Sequence, residues 1–391
     1  MTNEQKNVPE LRFPGFEDSW FLQKLEKFSS VQMGQSPKST NYTKNPNEMT
    51  LVQGNADLKK GRIFSRIYTS EITQVADIGD IILTVRAPVG ELAIAQKKAC
   101  IGRGVCTIKG NTFIYYLLQN LKKRNIWSRL SQGSTFDSIS GKDIRNLNIS
   151  LPSDIEQKKI GSFFSKLDQQ IELEEQKLEK LEQQKKGYIQ KIFSQELRFK
   201  DDKGNNYPSW KHEKLNNLGI TYTGLSSKTK QDFGYGNGLF ITYMNVFKNP
   251  LAKPEMVEKV NIKVEEKQNK VEYGDILLTT SSEVPYEVGM SSIWLFNYDN
   301  LYLNSFCFGF RVTVDYISPN YLSRFLRSEE MRKLITILAQ GSARFNISKK
   351  EIMKLNIKIP SINEQEKIVN FISSLDIIIE KQVTRISKLK Q

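Results

Sequence analysis

Histidine and cysteine are nearly absent from this chain. Its 391 residues include one histidine, His212, and three cysteines, Cys100, Cys106 and Cys307. No cluster with metal-ligand spacing and no disulfide framework can be drawn from so few, so no metal and no oxidising compartment are expected. Long apolar runs are missing too; none approaches the ~20 residues needed to cross a bilayer. The opening stretch MTNEQKNVPE lacks the basic-then-apolar pattern of a leader, and the expected location is the cytoplasm. There is no GxxxxGK[ST] phosphate loop, no GxGxxG fingerprint and no Asn-Pro-Pro-Tyr-like motif. ATP, dinucleotides and a methyl donor are therefore not expected on this chain, and no catalytic residue is proposed.

What is present is positive charge, unevenly spread. The net charge is +14. Residues 1–150 carry 21 basic against 13 acidic side chains, 151–195 balance at 8 each, 196–360 carry 23 against 18, and 361–391 carry 5 against 4. The excess sits in two blocks and spares the segments that follow each of them. Such blocks suit a polyanion, because neutralising phosphates releases counterions.

The chain also says nearly the same thing twice. Residues 140–168 read SGKDIRNLNISLPSDIEQKKIGSFFSKLD and residues 348–376 read SKKEIMKLNIKIPSINEQEKIVNFISSLD, at a constant offset of 208. Gln132-Gly133-Ser134 answers Gln340-Gly341-Ser342 at the same offset. Gly79–Thr84 (GDIILT) answers Gly274–Thr279 (GDILLT), and Glu10–Phe13 (ELRF) answers Glu196–Phe199. The stretches between these shared pieces differ, so two halves share one scaffold and hold two different variable parts.

Each shared block opens a long helix. Ser153 with Glu156, and Ser361 with Glu364, fit capping boxes. From there Ile160, Phe164, Leu167, Ile171, Leu178 and Leu181 step by heptad spacing, with Glu174 interrupting the stripe. The second copy gives Ile368, Ile372, Leu375, Ile379, Ile386 and Leu389, with Gln382 at the position of Glu174. This is a coiled-coil seam, expected to pair within the chain and antiparallel. The second helix stops sooner beyond Leu389 than the first does beyond the matching Leu181. The segments 112–131 and 319–340 read as helices closed by Gly133 and Gly341, and the Gly-Asp pairs feed buried strands. The expected class is α/β: two α/β domains, residues 1–152 and 196–360, joined by helices over 153–195 and 361–391.

At the repeated block, Gly133-Ser134, Leu147–Pro152, Glu156-Gln157 and Ile160, recurring at Gly341-Ser342, Leu355–Pro360, Glu364-Gln365 and Ile368, the chain resembles type I restriction-modification specificity subunits over essentially its whole length. The resemblance implies two target-recognition domains alternating with two helical constant regions. It implies double-stranded DNA as ligand, each domain reading one half of an asymmetric bipartite site. Two methyltransferase subunits, which bind S-adenosylmethionine, and two ATP-dependent restriction subunits would be its partners. S-adenosylmethionine, ATP and Mg²⁺ would then sit on those partners, with no membrane involved.

Candidate DNA contacts follow the variable parts. The polar basic loop 34–44 offers Lys38, Ser39, Asn41, Tyr42 and Lys44, and its counterpart offers Ser226, Ser227 and Lys228; such groups suit phosphates and base edges. Arg86 follows one Gly-Asp strand and Ser281, Ser282 and Glu283 follow the other. Arginine pairs with guanine and glutamate accepts from cytosine, so different half-sites fit. Ser134 and Thr135, with Ser342 and Arg344, stand beside the helix starts and suit phosphate. Two rival readings are a stand-alone Mg²⁺ nuclease, from Pro254-Glu255 followed by Glu265-Glu266-Lys267, and a coiled-coil adaptor that binds protein alone.

Overall fold

The Gly-Asp motif becomes the central strand of each half. In the computed structural model, which describes residues 9–131 and 138–391, Ile81–Thr84 and Ile276–Thr279 are buried at all four positions. Alternation decides which layer each side chain enters. Ile81 and Leu83 join a core with Phe113, Leu118 and Trp127, while Ile82 points into a second core with Val52, Ile101 and Val105. Ile276 and Leu278 likewise meet Tyr321 and Phe325, and Leu277 meets Val246 and Trp294. The motif's aspartate closes the preceding turn: Asp77 N donates to Asp80 Oδ2 at 2.9 Å, and Glu272 N donates to Asp275 Oδ2 at 2.8 Å. Its threonine anchors the next loop, Thr84 Oγ1 accepting from Glu91 N and Thr279 Oγ1 from Met290 N.

The chain forms two compact units that divide between Leu173 and Glu174. In the first, Ile81–Thr84 lies third in a six-stranded sheet ordered Val31–Met33, Val105–Ile108, Ile81–Thr84, Leu92–Ile94, Arg62–Ile63, Leu58–Lys59. A five-stranded sheet is built around Met49–Val52 and Ala99–Ile101, which pair in parallel. Helices Thr112–Lys123 and Ile126–Leu130 cover the first sheet; Asn111 caps the former, accepting from Ile114 N at 3.1 Å. In the second unit a four-stranded sheet holds Gly219–Thr223, Cys307–Val312, Ile276–Thr279 and Ser291–Ile293, and a three-stranded sheet holds Val257–Val260, Phe233–Ile241 and Leu301–Leu303. Each unit therefore mixes strand and helix as the sequence suggests.

The long helices run over Asp154–Phe193 and Ile362–Lys390. At 1.5 Å per residue they span about 60 and 43 Å. Within the second unit, residues from Glu174 onward lie antiparallel to the second helix. Lys185 pairs with Asp376, Arg385 with Glu174 at 2.9 Å, and Lys390 with Glu175 at 2.7 Å. Ile192 and Phe193 share a core with Ile368 and Ile372.

Four expectations change. Neither capping box forms by its glutamate: Glu156, fully buried, takes Arg12 Nε and Nη2 at 2.7 Å each. Glu364 takes Arg198 at 3.1 and 2.7 Å and the Trp210 indole at 3.1 Å. A buried carboxylate gains more from a bidentate guanidinium than from one backbone amide. The seam is also less uniform than its spacing. Ile160 packs on the first unit's core, and Phe164, 40% exposed, contacts Tyr116 and Phe163. Ile368 and Ile372 are core residues of the second unit. Leu167, Ile171, Leu178, Leu181, Leu375, Ile379 and Leu389 are half-buried, and Ile386 is buried. Steps of three and four serve any amphipathic helix face, so the same spacing covers a domain first and a partner helix later. The expected helices 112–131 and 319–340 are each broken in two, the second as Pro319–Leu326 and Glu329–Ile337. Gly341 is not a helix cap: it lies in a loop closed by a Gln340–Asn346 bridge, and Gly133 falls outside the described residues.

Candidate nucleic-acid interface

Three loops of the first unit converge on one open cleft of about 550 Å³. The loop 36–42 brings Ser36, Lys38, Ser39 and Tyr42; the end of the Gly-Asp strand brings Arg86; and the turn Gly102–Gly104 brings Arg103. Among the described residues no acidic side chain lines it. Lys38, Arg86 and Arg103 are all exposed, and among the described residues none makes an ion pair. The loop is held from beneath. Glu71 Oε2 accepts from Lys38 N at 2.8 Å and from Asn41 Nδ2 at 2.7 Å, and these bonds hold its carboxyl below the usual range. Tyr42 receives Gln53 Nε2 at 2.6 Å. Asn41 thus supports the loop, and Lys44 stands exposed outside the cleft lining. Arg103 and Gln53 were missed from sequence; the Gly-Arg-Gly triplet was the available signal.

The second unit repeats the backbone of this site bond for bond. Gln35 N donates to Ile101 O at 2.9 Å, and Leu225 N to Leu303 O at 2.7 Å. Val85 N donates to Gly104 O and Thr280 N to Phe306 O, both at 2.9 Å. Ile139 N donates to Val85 O at 3.0 Å, and Ile347 N to Thr280 O at 2.9 Å. A Cβ on Gly34 would lie 2.2 Å from Gly102 O, and one on Gly224 2.1 Å from Asn304 O, so both glycines are required by the same close approach. The frame therefore matches Lys38 with Lys228, Arg86 with Ser281, Arg103 with Ser305 and Gly104 with Phe306.

The side chains on that second frame differ from expectation. Lys228 is 2% exposed, paired with Glu266 and donating to Asn261 O at 2.6 Å, so it is not free to meet a ligand. Ser226 accompanies it, its amide donating to Gln268 Oε1 at 3.1 Å, and Ser227 takes a positive φ of 55°. Ser281 and Ser282 are buried, paired in a short ladder with Phe345–Asn346, and Ser282 Oγ donates to Glu287 at 2.9 Å. Glu283, Ser342 and Arg344 are exposed, and the Arg344 guanidinium lies over the Phe306 ring at 5.3 Å. Ser134 and Thr135 lie outside the described residues.

A sequence profile described as the type I restriction modification DNA specificity domain matches the chain twice, over residues 18–183 and 190–391. The chain belongs to that family. Among relatives, a protein of Methanocaldococcus jannaschii described as a type I restriction enzyme MjaX specificity subunit is 33% identical over 207 residues, 50% of this chain and 48% of that protein. The MjaIX specificity subunit of the same organism is 33% identical over 109 residues, 27% of this chain and 25% of its own. The matched stretches thus span about half or less of these relatives. Two solved structures share the fold over 98% of this chain and 96% of theirs. The type I restriction-modification S subunit from M. genitalium aligns with a TM-score of 0.58 at 15% identity. A chain from a study of assembly and conformational transition in the type I system aligns at 0.60 and 18%.

Within this family chain, the nuclease constellation does not assemble. Lys228 draws the Glu266 carboxyl below its usual range, and Glu255, Glu265 and Lys267 are exposed. Among the described residues no group of three or more His, Cys, Asp or Glu is placed to hold a metal, and no helix is long and apolar enough to cross a membrane.

Proposed function

We propose that this chain is the DNA sequence-specificity subunit of a type I restriction-modification complex. Residues 1–152 and 196–360 are its recognition domains, and residues 153–195 and 361–391 its constant helices. One observation carries the reading: a single backbone frame occurs twice and presents different side chains at matched positions. Each domain reads a few base pairs of an asymmetric, bipartite duplex site. Non-catalytic itself, the chain docks two methyltransferase subunits along its constant helices and, through them, two restriction subunits. The partners carry S-adenosylmethionine, ATP and Mg²⁺, and the whole works in the cytoplasm. Half-sites in related two-part readers lie about 34 Å apart, one helical turn.

Mapping methylated adenines genome-wide in cells with and without this chain tests the proposal. A bipartite motif that vanishes with the chain supports it; methylation that is unchanged overturns it. Charged substitutions at Leu178 and Leu181 should abolish recognition of both half-sites at their fixed spacing; survival of that spacing removes the helices from the role of spacer.

A further inference from the structure

The geometry points to a different base chemistry in each unit: Arg103 reads a guanine in the first half-site, and Phe306, with Arg344 over its ring, reads a thymine methyl in the second. The inference rests on the DNA-specificity reading above and names what each half of the target contains.

Arg103 is built as a reader rather than a loose cation. Its amide donates to Ser36 Oγ at 3.0 Å, and Gly102 N donates to Val52 O at 2.8 Å. On its other side Gly104 packs so closely that a Cβ would lie 1.9 Å from Gln53 O. The backbone is thus fixed on both flanks while the guanidinium stands exposed in a cleft that, among the described residues, has no acidic lining. A planar fork carried on a fixed backbone matches the O6/N7 pair of guanine in the major groove, whereas the ammonium of neighbouring Lys38 is a point charge suited to phosphate.

The second unit has removed each cation of that cleft. Ser305 stands at the position of Arg103, Ser281 at that of Arg86, and Lys228 is buried against Glu266. In place of Gly104 comes Phe306, 52% exposed although its residue is fixed by Phe306 N to Asn304 Oδ1 at 2.9 Å and by Thr280 N. A half-exposed phenyl ring on a fixed backbone gains when its apolar surface leaves water, and the thymine C5-methyl is the apolar feature of the major groove. Arg344 braces the ring and brings an exposed cation beside it, which suits an adjacent phosphate.

The test is selection of duplexes from a randomised library by the purified full-length chain, followed by affinity measurements with base analogues. A selected first half-site should hold a G·C pair at which 7-deazaguanine, which keeps O6 and loses N7, weakens wild-type binding about fivefold or more, the lower end of one bidentate contact, and leaves Arg103→Ala unaffected. In the second half-site, deoxyuridine for thymine should cost the wild type about fourfold, the effect of one buried methyl-sized group, and cost Phe306→Ala nothing. Analogue effects on the wild type need no variant to fold. Indifference to 7-deazaguanine in the first half or to deoxyuridine in the second, or an Arg103→Ala loss that is equal for every sequence, overturns this inference alone. Failure of the wild type to select any site overturns the specificity reading beneath it.

Discussion

Glu71 illustrates how a residue outside the cleft lining holds the loop that carries the proposed contacts. It pins Lys38 N and Asn41 Nδ2 under the cleft loop. Because those bonds favour the ionised form, its folded pKa lies below the ordinary value of 4.5. A carboxyl lowered on folding contributes stability that is present above the unfolded value and lost as pH falls through the folded one. Relative to the intrinsic rate at each pH, amide exchange over residues 36–42 should therefore be slow at neutral pH and fast below about pH 4. Glu71→Ala should show the fast exchange already at neutral pH and weaken DNA binding, while the core strand 81–84 stays protected. Equal protection of the loop in both proteins would remove Glu71 from this role. The glycines of the frame act by the opposite means, through what they lack. Gly104→Ala places a methyl where Gln53 O already sits, so the turn that carries Arg103 must shift. That change should impair the first half-site while leaving the second intact, measured with duplexes mutated in one half at a time.

At the scale of elements, the repeated Glu-Gln doublet is a clamp between each long helix and its own domain. Gln157 donates to Pro152 O at 3.0 Å and accepts from Asn111 at 2.9 Å; Gln365 donates to Pro360 O at 2.9 Å and accepts from Ser318 N at 2.7 Å. With Glu364 removed, Arg198 loses its bidentate partner and the Trp210 indole its acceptor. Arg198 keeps access to water once its partner is gone, so the loss should be about 1–3 kcal/mol; a thermal melt of Glu364→Ala should reveal it. The doublet was legible as a repeat, yet its purpose was not, because its partners Arg12 and Arg198 lie 144 and 166 residues away. Local spacing resolves a helix start but carries nothing about which distant arginine arrives there. The polar break in the heptad was readable as well, and its meaning again needed the fold. Gln382 Nε2 donates to Glu174 Oε2 at 2.7 Å, so two positions equivalent under the 208-residue offset are each other's partners. A glutamate with a glutamine is compatible across the seam; two glutamates are not. Gln382→Glu should cost about 2 kcal/mol or more at neutral pH, since two carboxylates then face each other in a buried seam. Like charge raises the folded pKa of such a pair, so the deficit should shrink as pH falls and one carboxyl takes a proton. Adding Glu174→Gln should restore the melting temperature at neutral pH, which a general packing defect would not allow.

For the whole molecule, duplication supplies a frame and divergence supplies the message. The shared pieces were visible from sequence because they recur in the same order in both halves, the longest at a constant offset of 208, and they proved to be strands, turns and helix starts. The proposed reading positions were visible only in part. Arg86 and Lys38, picked by their charge, line the first unit's cleft; Arg103 carried a signal in its Gly-Arg-Gly triplet, whereas Phe306 occupies a place that only the matched backbone bonds identify. Charge alone misled at Lys228, since a lysine in a polar loop says nothing about Glu266 waiting nearby in space. Placement of the two readers in separate compact units has an energetic consequence. Substitutions far apart with no shared partner add to within about 0.5 kcal/mol. The double variant Arg103→Ala, Phe306→Ala should thus lose affinity by the sum of the two single losses, measured on the selected duplex at one fixed salt concentration. The salt slope should separate these base contacts from phosphate contacts: Lys38→Ala should flatten it by about one unit per phosphate lost, and Phe306→Ala should leave it unchanged. Coupling beyond that additive range would mean that one half-site must bind before the other is read, and the two units would then act as one reader rather than two.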